Sequence, residues 1–395
     1  MIDLHLEQEY VIDKATIAAS VGVSESRVKD FYFLNPMAMA DGRLAIRCST
    51  WFEPKRVIDR GDEIFQIDLI ASGAVLVRDL ARHFPIRHGD AAAFNTHVAV
   101  PIGDSTLYLT GSDRALLVPA SQTHEPYAIE IAQPLGRVRV HEDKTGALYP
   151  GYAVHPVAEG NVIAVPLQAA SSTRWLAFLS VDIENRTASW SAFPVAPAPS
   201  GGGSLLKRLF GTSSDPLKAP TGDDLLQLVA EDFPHHHFFH SYRPYINQAL
   251  LRAGRVYVYT KGHGDSPKYG YPCSGIAEIG PDGRVKSLPF MQDYTRTGDE
   301  KKYGIEGRFT ASGRFCILSS VYKTTDPWKG RQKLFDMDIG ALVDVNLPRG
   351  FSKYRLIDHA GDHFWAELWP IPRDNVGRIA RFSYDRGEDA PSRIS

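Results

Sequence analysis

The sequence predicts an all-β chain of β-propeller architecture, with about six four-stranded blades (five or seven are the alternative counts) and a small N-terminal helical hairpin. Two observations predict it. Two short strand patterns recur in strict alternation along the 395 residues, and 33 Gly and 26 Pro punctuate a chain that is 43% hydrophobic. Such a composition buries a large core, and a radial repeat places it in one unit rather than in two or three separate domains.

The first pattern is a turn residue, usually Gly, followed by a run rich in β-branched and aromatic types. It reads Asp41-Gly42-Arg43-Leu44-Ala45-Ile46, then Asp104-Ser105-Thr106-Leu107-Tyr108-Leu109, then Glu159-Gly160-Asn161-Val162-Ile163-Ala164-Val165. Ala253-Gly254-Arg255-Val256-Tyr257-Val258-Tyr259, Ser312-Gly313-Arg314-Phe315-Cys316-Ile317-Leu318 and Gly361-Asp362-His363-Phe364-Trp365-Ala366 complete it. Each copy reads as the second strand of a hairpin. The spacings are 63, 55, 94, 59 and 49, the outlier holding an insertion. The second pattern, an apolar alternation closing on a turn, begins near Ile64, Tyr127, Leu176, Ile276, Leu334 and Ile379.

The domain reading is a unit over residues 1–47 and a propeller over 48–395, interrupted by a flexible insertion at 194–222. In the first unit Asp13 caps a helix through Val21, and Gly22-Val23-Ser24 opens a second from Glu25 to about Phe33. The pair has the small and apolar positions of a helix-turn-helix. Its second helix offers only Arg27 and Lys29 against Glu25 and Asp30, which argues against reading DNA. Residues 10–47 also resemble a LysM module, on Ile17-Ala18, Gly22-Val23-Ser24, Val28, Leu34-Asn35-Pro36 and Gly42-Arg43-Leu44-Ala45-Ile46. That resemblance implies a βααβ fold. Glycan binding is not carried over, because Asp13-Lys14-Ala15-Thr16 replaces the Gly-Asp-Thr-Leu of such modules. The alternative is a helical hairpin capping a propeller whose last blade is closed by the strand Leu4 to Ile12.

The insertion contains Ala196-Pro197-Ala198-Pro199-Ser200-Gly201-Gly202-Gly203-Ser204, a flexible composition, and then Leu205-Leu206-Lys207-Arg208-Leu209-Phe210. With Leu206, Leu209 and Phe210 on one helical face, this element is expected either to dock on a partner or on the protein's own groove, or to remain disordered. Asp223-Asp224-Leu225-Leu226-Gln227-Leu228-Val229 reads as a helix start.

Catalytic signatures such as a Gly-x-Ser-x-Gly elbow, His-Glu-x-x-His or a Walker loop are absent from the sequence. The repeats likewise lack the Trp-Asp of WD40, the paired glycines of kelch and the Ser-x-Asp-x-Gly-x-Thr-Trp boxes of sialidases. Propeller geometry directs attention to the inner strands, where Glu306, Asp358, His155 and His240 are the candidates for general acid–base work. His236 and His240 fall on one face if extended and could hold a metal only with a third ligand from elsewhere, so neither metal nor cofactor is expected. Aromatic and arginine residues in the second half, Tyr242, Arg243, Tyr269, Tyr271, Arg308 and Trp328, have the composition of an interface.

Forty-four basic and 46 acidic residues give a net charge of −2, which excludes a general nucleic-acid binder. No run is long enough to span a membrane, and the first residues lack the regions of a signal peptide. Three cysteines argue for a reducing compartment, so a bacterial cytoplasm is expected. The resulting expectation is a non-catalytic propeller that binds another protein, as scaffold, adaptor or toxin-neutralising immunity partner. The alternative is a propeller hydrolase or lyase acting on a glycan or small ester at the channel mouth.

Overall fold

Short turns join the strands within most sets, so within a set successive strands pair antiparallel and the chain lays down its sets in sequence order. The computed structural model describes residues 1–56, 63–83, 98–109, 113–132, 135–141, 144–150, 155–169, 172–192, 226–227, 245–261, 274–280, 284–288, 305–320, 332–369 and 376–386. Strand β1 (Ile2–Ile12) and helix α1 (Lys14–Ser20) come first. One set then holds β2 (Val28–Ala38), β3 (Leu44–Phe52), β4 (Glu63–Leu69) and β5 (Val75–Asp79), and the next holds β6 (Val98–Ile102), β7 (Ser105–Leu109), β8 (Arg114–Val118) and β9 (Tyr127–Ile131).

The hairpin β10 (Arg137–His141) and β11 (Lys144–Ala147) leads to β12 (Tyr149–Pro150), β13 (His155–Val157), β14 (Val162–Ala169), β15 (Ser172–Asp182) and β16 (Thr187–Ala192). After β17 (Leu226–Gln227) comes a set of β18 (Tyr245–Arg252), β19 (Arg255–Lys261), β20 (Ser274–Ile279) and β21 (Val285–Ser287). The following set is β22 (Ile305–Phe309), β23 (Phe315–Ser320), β24 (Lys333–Asp336) and β25 (Ala341–Asn346). In the last, β26 (Tyr354–Ala360), β27 (His363–Leu368) and β28 (Gly377–Arg386) take β1 as their outer strand.

Packing makes the arrangement radial. Each hydrophobic cluster lies between two successive sets. Met37, Ile64, Tyr108 and Val118 join the first to the second, and Val98, Leu117, Ile163 and Trp190 the second to the third. Phe178 and Val258, then Tyr259 and Phe309, then Phe315 and Phe364 continue the series. Tyr10, Ile379 and Trp365 of the last set pack with Ile46, Phe52 and Phe65 of the first, so the series returns to its start. This is a β-propeller.

Strand β1 closes the ring in an instructive way. Its even-numbered residues would all face one side of a regular strand. A register shift between Leu6 and Gln8 reverses them, so Ile2 and Leu4 pack toward the preceding set while Tyr10 and Ile12 pack toward the first set. One strand thereby contributes to two interfaces.

The two ends of the barrel of strands differ. The turns from first to second strand hold Gly42, Gly103, Gly160, Gly254, Gly313 and Gly361, all with positive φ, a conformation that disfavours a Cβ. Five of them mark copies of the first sequence pattern, and Gly103 immediately precedes the copy that begins at Asp104. Longer connections, including 80–97, 193–244, 262–273, 288–304, 321–332 and 369–376, all leave from the opposite end.

Several expectations are corrected. The second helix of the N-terminal hairpin is absent: Glu25–Arg27 is a single 3₁₀ turn and Val28–Ala38 is strand β2, paired with β3. The Phe31-Tyr32-Phe33 run suits a strand better than a helix, and its cross-strand partners decide the matter. The βααβ order of a LysM module is therefore not met. The helix expected from Asp223 is likewise not seen at Leu226–Gln227, which pair with β15 as a short strand. Five second-pattern copies fall on third strands; the one at Tyr127 falls on the fourth strand β9. Residues 194–222 lie outside the described residues.

Gly307 on β22 illustrates how tightly neighbouring sets meet, since a Cβ there would lie 2.1 Å from Cε2 of the Tyr259 ring on β19. Gly307→Ala should lower stability by about 1–3 kcal/mol, read from the denaturation midpoint, and should cost clearly less when made in a Tyr259→Ala background than in the native chain. An unchanged midpoint for the single variant would contradict this packing.

Candidate functional site

The inner strands carry their polar residues in two places, one near each end of the axis. Near the short-turn end, Asp358 of β26 is 2% exposed. Its Oδ2 accepts the Ala38 N–H at 2.7 Å, and its Oδ1 accepts the N–H groups of Ala311 and His359 at 2.8 Å. The Arg308 guanidinium on β22 stands 3.9 Å from that carboxylate and donates to the Pro36 carbonyl. One carboxylate thus ties β26 to β2 and to the turn after β22. Burial pushes the Asp358 carboxyl above the ordinary range, against the pull of Arg308 and the three N–H groups, and burial lowers Arg308. A carboxylate with this many fixed backbone donors is a structural tie rather than a free acid or base.

His359, next in the strand, is buried beside Phe315, Phe364 and Tyr384, with ring centroids 4.9, 4.5 and 5.5 Å away. Its Nδ1 shares a 2.7 Å hydrogen bond with Ser312 Oγ, while Nε2 is buried without a hydrogen bond. Burial, with Arg314 and His363 nearby, pushes the imidazole down to about 3. It is neutral at physiological pH.

The long-connection end is different in kind. Tyr32 on β2 is 48% exposed and Trp51, near the end of β3, is 49% exposed. The register pairs Asp30 with Trp51 and Tyr32 with Ser49, which places Tyr32 and Trp51 as diagonal neighbours on one sheet face. Trp369, just past β27, is 43% exposed, and the Arg355 guanidinium stacks 4.2 Å from its ring centroid while pairing with Glu367. Among the described residues, the strongly exposed aromatic side chains are these three, and all lie toward the end that bears the long connections.

The sequence candidates distribute unevenly. Asp358 and Arg308 come together as described. Glu306 sits two positions before Arg308 on β22, and His155 opens β13, which runs parallel to β18 with His155 opposite Gln248. Glu306 and His155 lie at the starts of inner strands, toward the long-connection end. His236, His240, Tyr242, Arg243, Tyr269, Tyr271, Trp328, Leu206, Leu209 and Phe210 lie outside the described residues. Among the described residues no group of His, Cys, Asp and Glu could hold a metal ion, and no helix is long and apolar enough to cross a membrane. Sequence reading missed Tyr32, Trp51 and Trp369. The signal for Trp51 was a large ring at a strand end, just before the Phe52-Glu53-Pro54 exit, where a core role is hard to satisfy.

No family model matches the sequence, and no curated protein matches it. Solved structures with a similar fold include Trypanosoma rangeli sialidase, at 10% identity and a TM-score of 0.42, covering 89% of this chain and 55% of that one. They also include a polysaccharide lyase of the PL25 ulvan-lyase family (9% identity, TM-score 0.40, 87% and 77% covered). The β-propeller domain of the trilobed protease from Pyrococcus furiosus is a third (8% identity, TM-score 0.37, 87% and 80% covered). The chain spans about half the length of the sialidases it matches. These likenesses concern the fold. The neighbours are named as a sialidase and a polysaccharide lyase, against the expectation of a non-catalytic scaffold, adaptor or toxin-neutralising immunity partner, which is not carried further.

The buried imidazole generates a pH prediction. Unfolded, His359 takes a proton near pH 6.5; folded, it refuses one until about pH 3. Its stabilising contribution is therefore complete above 6.5 and is lost progressively as pH falls toward 3. Denaturation at pH 7 and pH 5 should show a smaller loss on acidification for His359→Phe than for the native chain. Equal losses would contradict the assignment.

Proposed function

We propose that the chain is a glycan-acting hydrolase or lyase whose substrate enters at the long-connection end of the propeller. The observation that carries the reading is the placement of Tyr32, Trp51 and Trp369. Sugar rings present apolar C–H faces bordered by hydroxyls, and flat aromatic side chains held at a rim match those faces while hydroxyls remain in water. Packing between sets gives no reason for such rings to stand open to solvent at this end.

Glycan cleavage by either route needs a group to deliver a proton and a group to remove one. Asp358 is engaged by three backbone donors and serves as a tie. Glu306 and His155, at the starts of inner strands on the same end as the aromatic rim, are the chemistry-bearing residues of this reading.

A panel of polysaccharides, assayed for new reducing ends (hydrolysis) and for ultraviolet absorbance of unsaturated products (lysis), tests the proposal. A cleaved substrate is expected. Trp51→Ala should raise KM by about tenfold with a smaller effect on kcat, the pattern of lost binding. Glu306→Gln should reduce kcat with KM nearly unchanged. Absence of binding and cleavage across acidic and neutral polysaccharides would contradict it.

A further inference from the structure

A second feature at the long-connection end adjoins Trp369, whose N–H donates to the Lys353 carbonyl at 2.6 Å, and lies on the strand sets next to those of Tyr32 and Trp51. The connection from β25 to β26 borders a cavity of about 470 Å³, within the range of sites that hold small organic ligands. Gln332, Asn346, Arg349, Ser352, Tyr354 and Leu356 line it.

The walls are held rigidly. Two successive backbone bonds, Phe351 N–H to Pro348 O at 3.1 Å and Tyr354 N–H to Phe351 O at 3.0 Å, shape the connection as consecutive tight turns. Phe351 packs edge-on against Phe382 and beside Tyr354, with centroids 5.8 and 5.2 Å away. Tyr354 Oη donates to Glu9 on β1 at 2.5 Å. The Gln332 amide spans the backbone of Leu356, accepting its N–H at 2.5 Å and donating to its carbonyl at 3.2 Å, and it donates to Ser319 Oγ at 2.8 Å. Asn346 donates to Asp3 at 2.9 Å.

Arg349 and Ser352 are the exceptions to this engagement, both exposed and neither hydrogen-bonded among the described residues. Arg349 makes no ion pair among them either. A preformed pocket therefore presents apolar and hydroxyl-bearing walls with one unpaired guanidinium at its rim, whose planar fork matches a carboxylate.

We propose that this pocket is a binding site for an acidic sugar unit, with Arg349 pairing its carboxylate while Ser352 and the aromatic-backed wall meet its ring. This deepens the glycan reading above and rests on it for the ligand class. The pocket lies between the last two strand sets, whereas Tyr32 and Trp51 belong to the first, so it is a subsite separate from that pair.

The test is calorimetric titration of the full chain with D-galacturonate, D-galactose and acetate. Galacturonate should bind at least about tenfold more tightly than either of the others, since one charge-assisted hydrogen bond and the ring contacts are both required. Arg349→Ala should weaken galacturonate binding by about tenfold, Ser352→Glu should abolish it by like-charge repulsion, and Trp51→Ala should leave it unchanged. Equal binding of galacturonate and galactose, acetate binding as tightly as galacturonate, or an unaffected Arg349→Ala variant would overturn the proposal. Failure here with Trp51→Ala still impairing polysaccharide cleavage removes the pocket alone. Galacturonate binding lost on Arg349→Ala, without any polysaccharide cleavage, supports the pocket and removes the enzymatic reading.

Discussion

A ring of sheets depends on how its last sheet meets its first, and here strand β1 carries that burden. Strand β28 would otherwise present an unpaired edge, a liability for any sheet protein. Strand β1 pairs with it from Ile2 opposite Arg386 to Ile12 opposite Gly377, joining residues more than three hundred positions apart. The register shift at Leu6 to Gln8 lets the same strand supply Ile2 and Leu4 to one interface and Tyr10 and Ile12 to the next. A regular strand could not do both, because its side chains alternate strictly. Near the axis Asp358 makes a second closure, binding β26 to Ala38 at the end of β2.

Closure leaves the two ends of the ring with different tasks. At one end, left-handed glycines and the Asp358–Arg308 tie fix the inner strands against each other. At the other, strands end in longer connections, and Trp51, Tyr32, Trp369 and the Arg349 pocket face solvent. Rigidity at one end and open, ring-bearing and cationic surfaces at the other are the arrangement a binding or catalytic scaffold needs, with site residues carried on elements that do not move.

Much of the architecture was legible in the sequence because each repeat needs a glycine at a position where only glycine is comfortable. Gly42, Gly160, Gly254, Gly313 and Gly361 announce the first-to-second-strand turns, and the strands that follow them are those observed. Strand β2 was not legible, since Val28 and the residues around it fit a helical period as well as a strand. Only pairing with Leu44–Phe52 decides between them. The site was legible in part. Asp358 and Arg308 were identifiable as polar residues of inner strands, but their roles are set by Ala38, Ala311 and Pro36, which are distant in sequence. The exposure of Trp51 and the lack of a partner for Arg349 among the described residues are properties of packing, and a single sequence carries little trace of either.

Native-state hydrogen exchange of the β1 amides tests the central role of ring closure most directly. If β1 completes the ring, its hydrogen-bonded amides between Leu4 and Ile12 should exchange with the same opening free energy as those of β27 and β28, through global unfolding. Fast exchange along β1 while β27 and β28 remain protected would show that the ring stands without it, and would contradict the account.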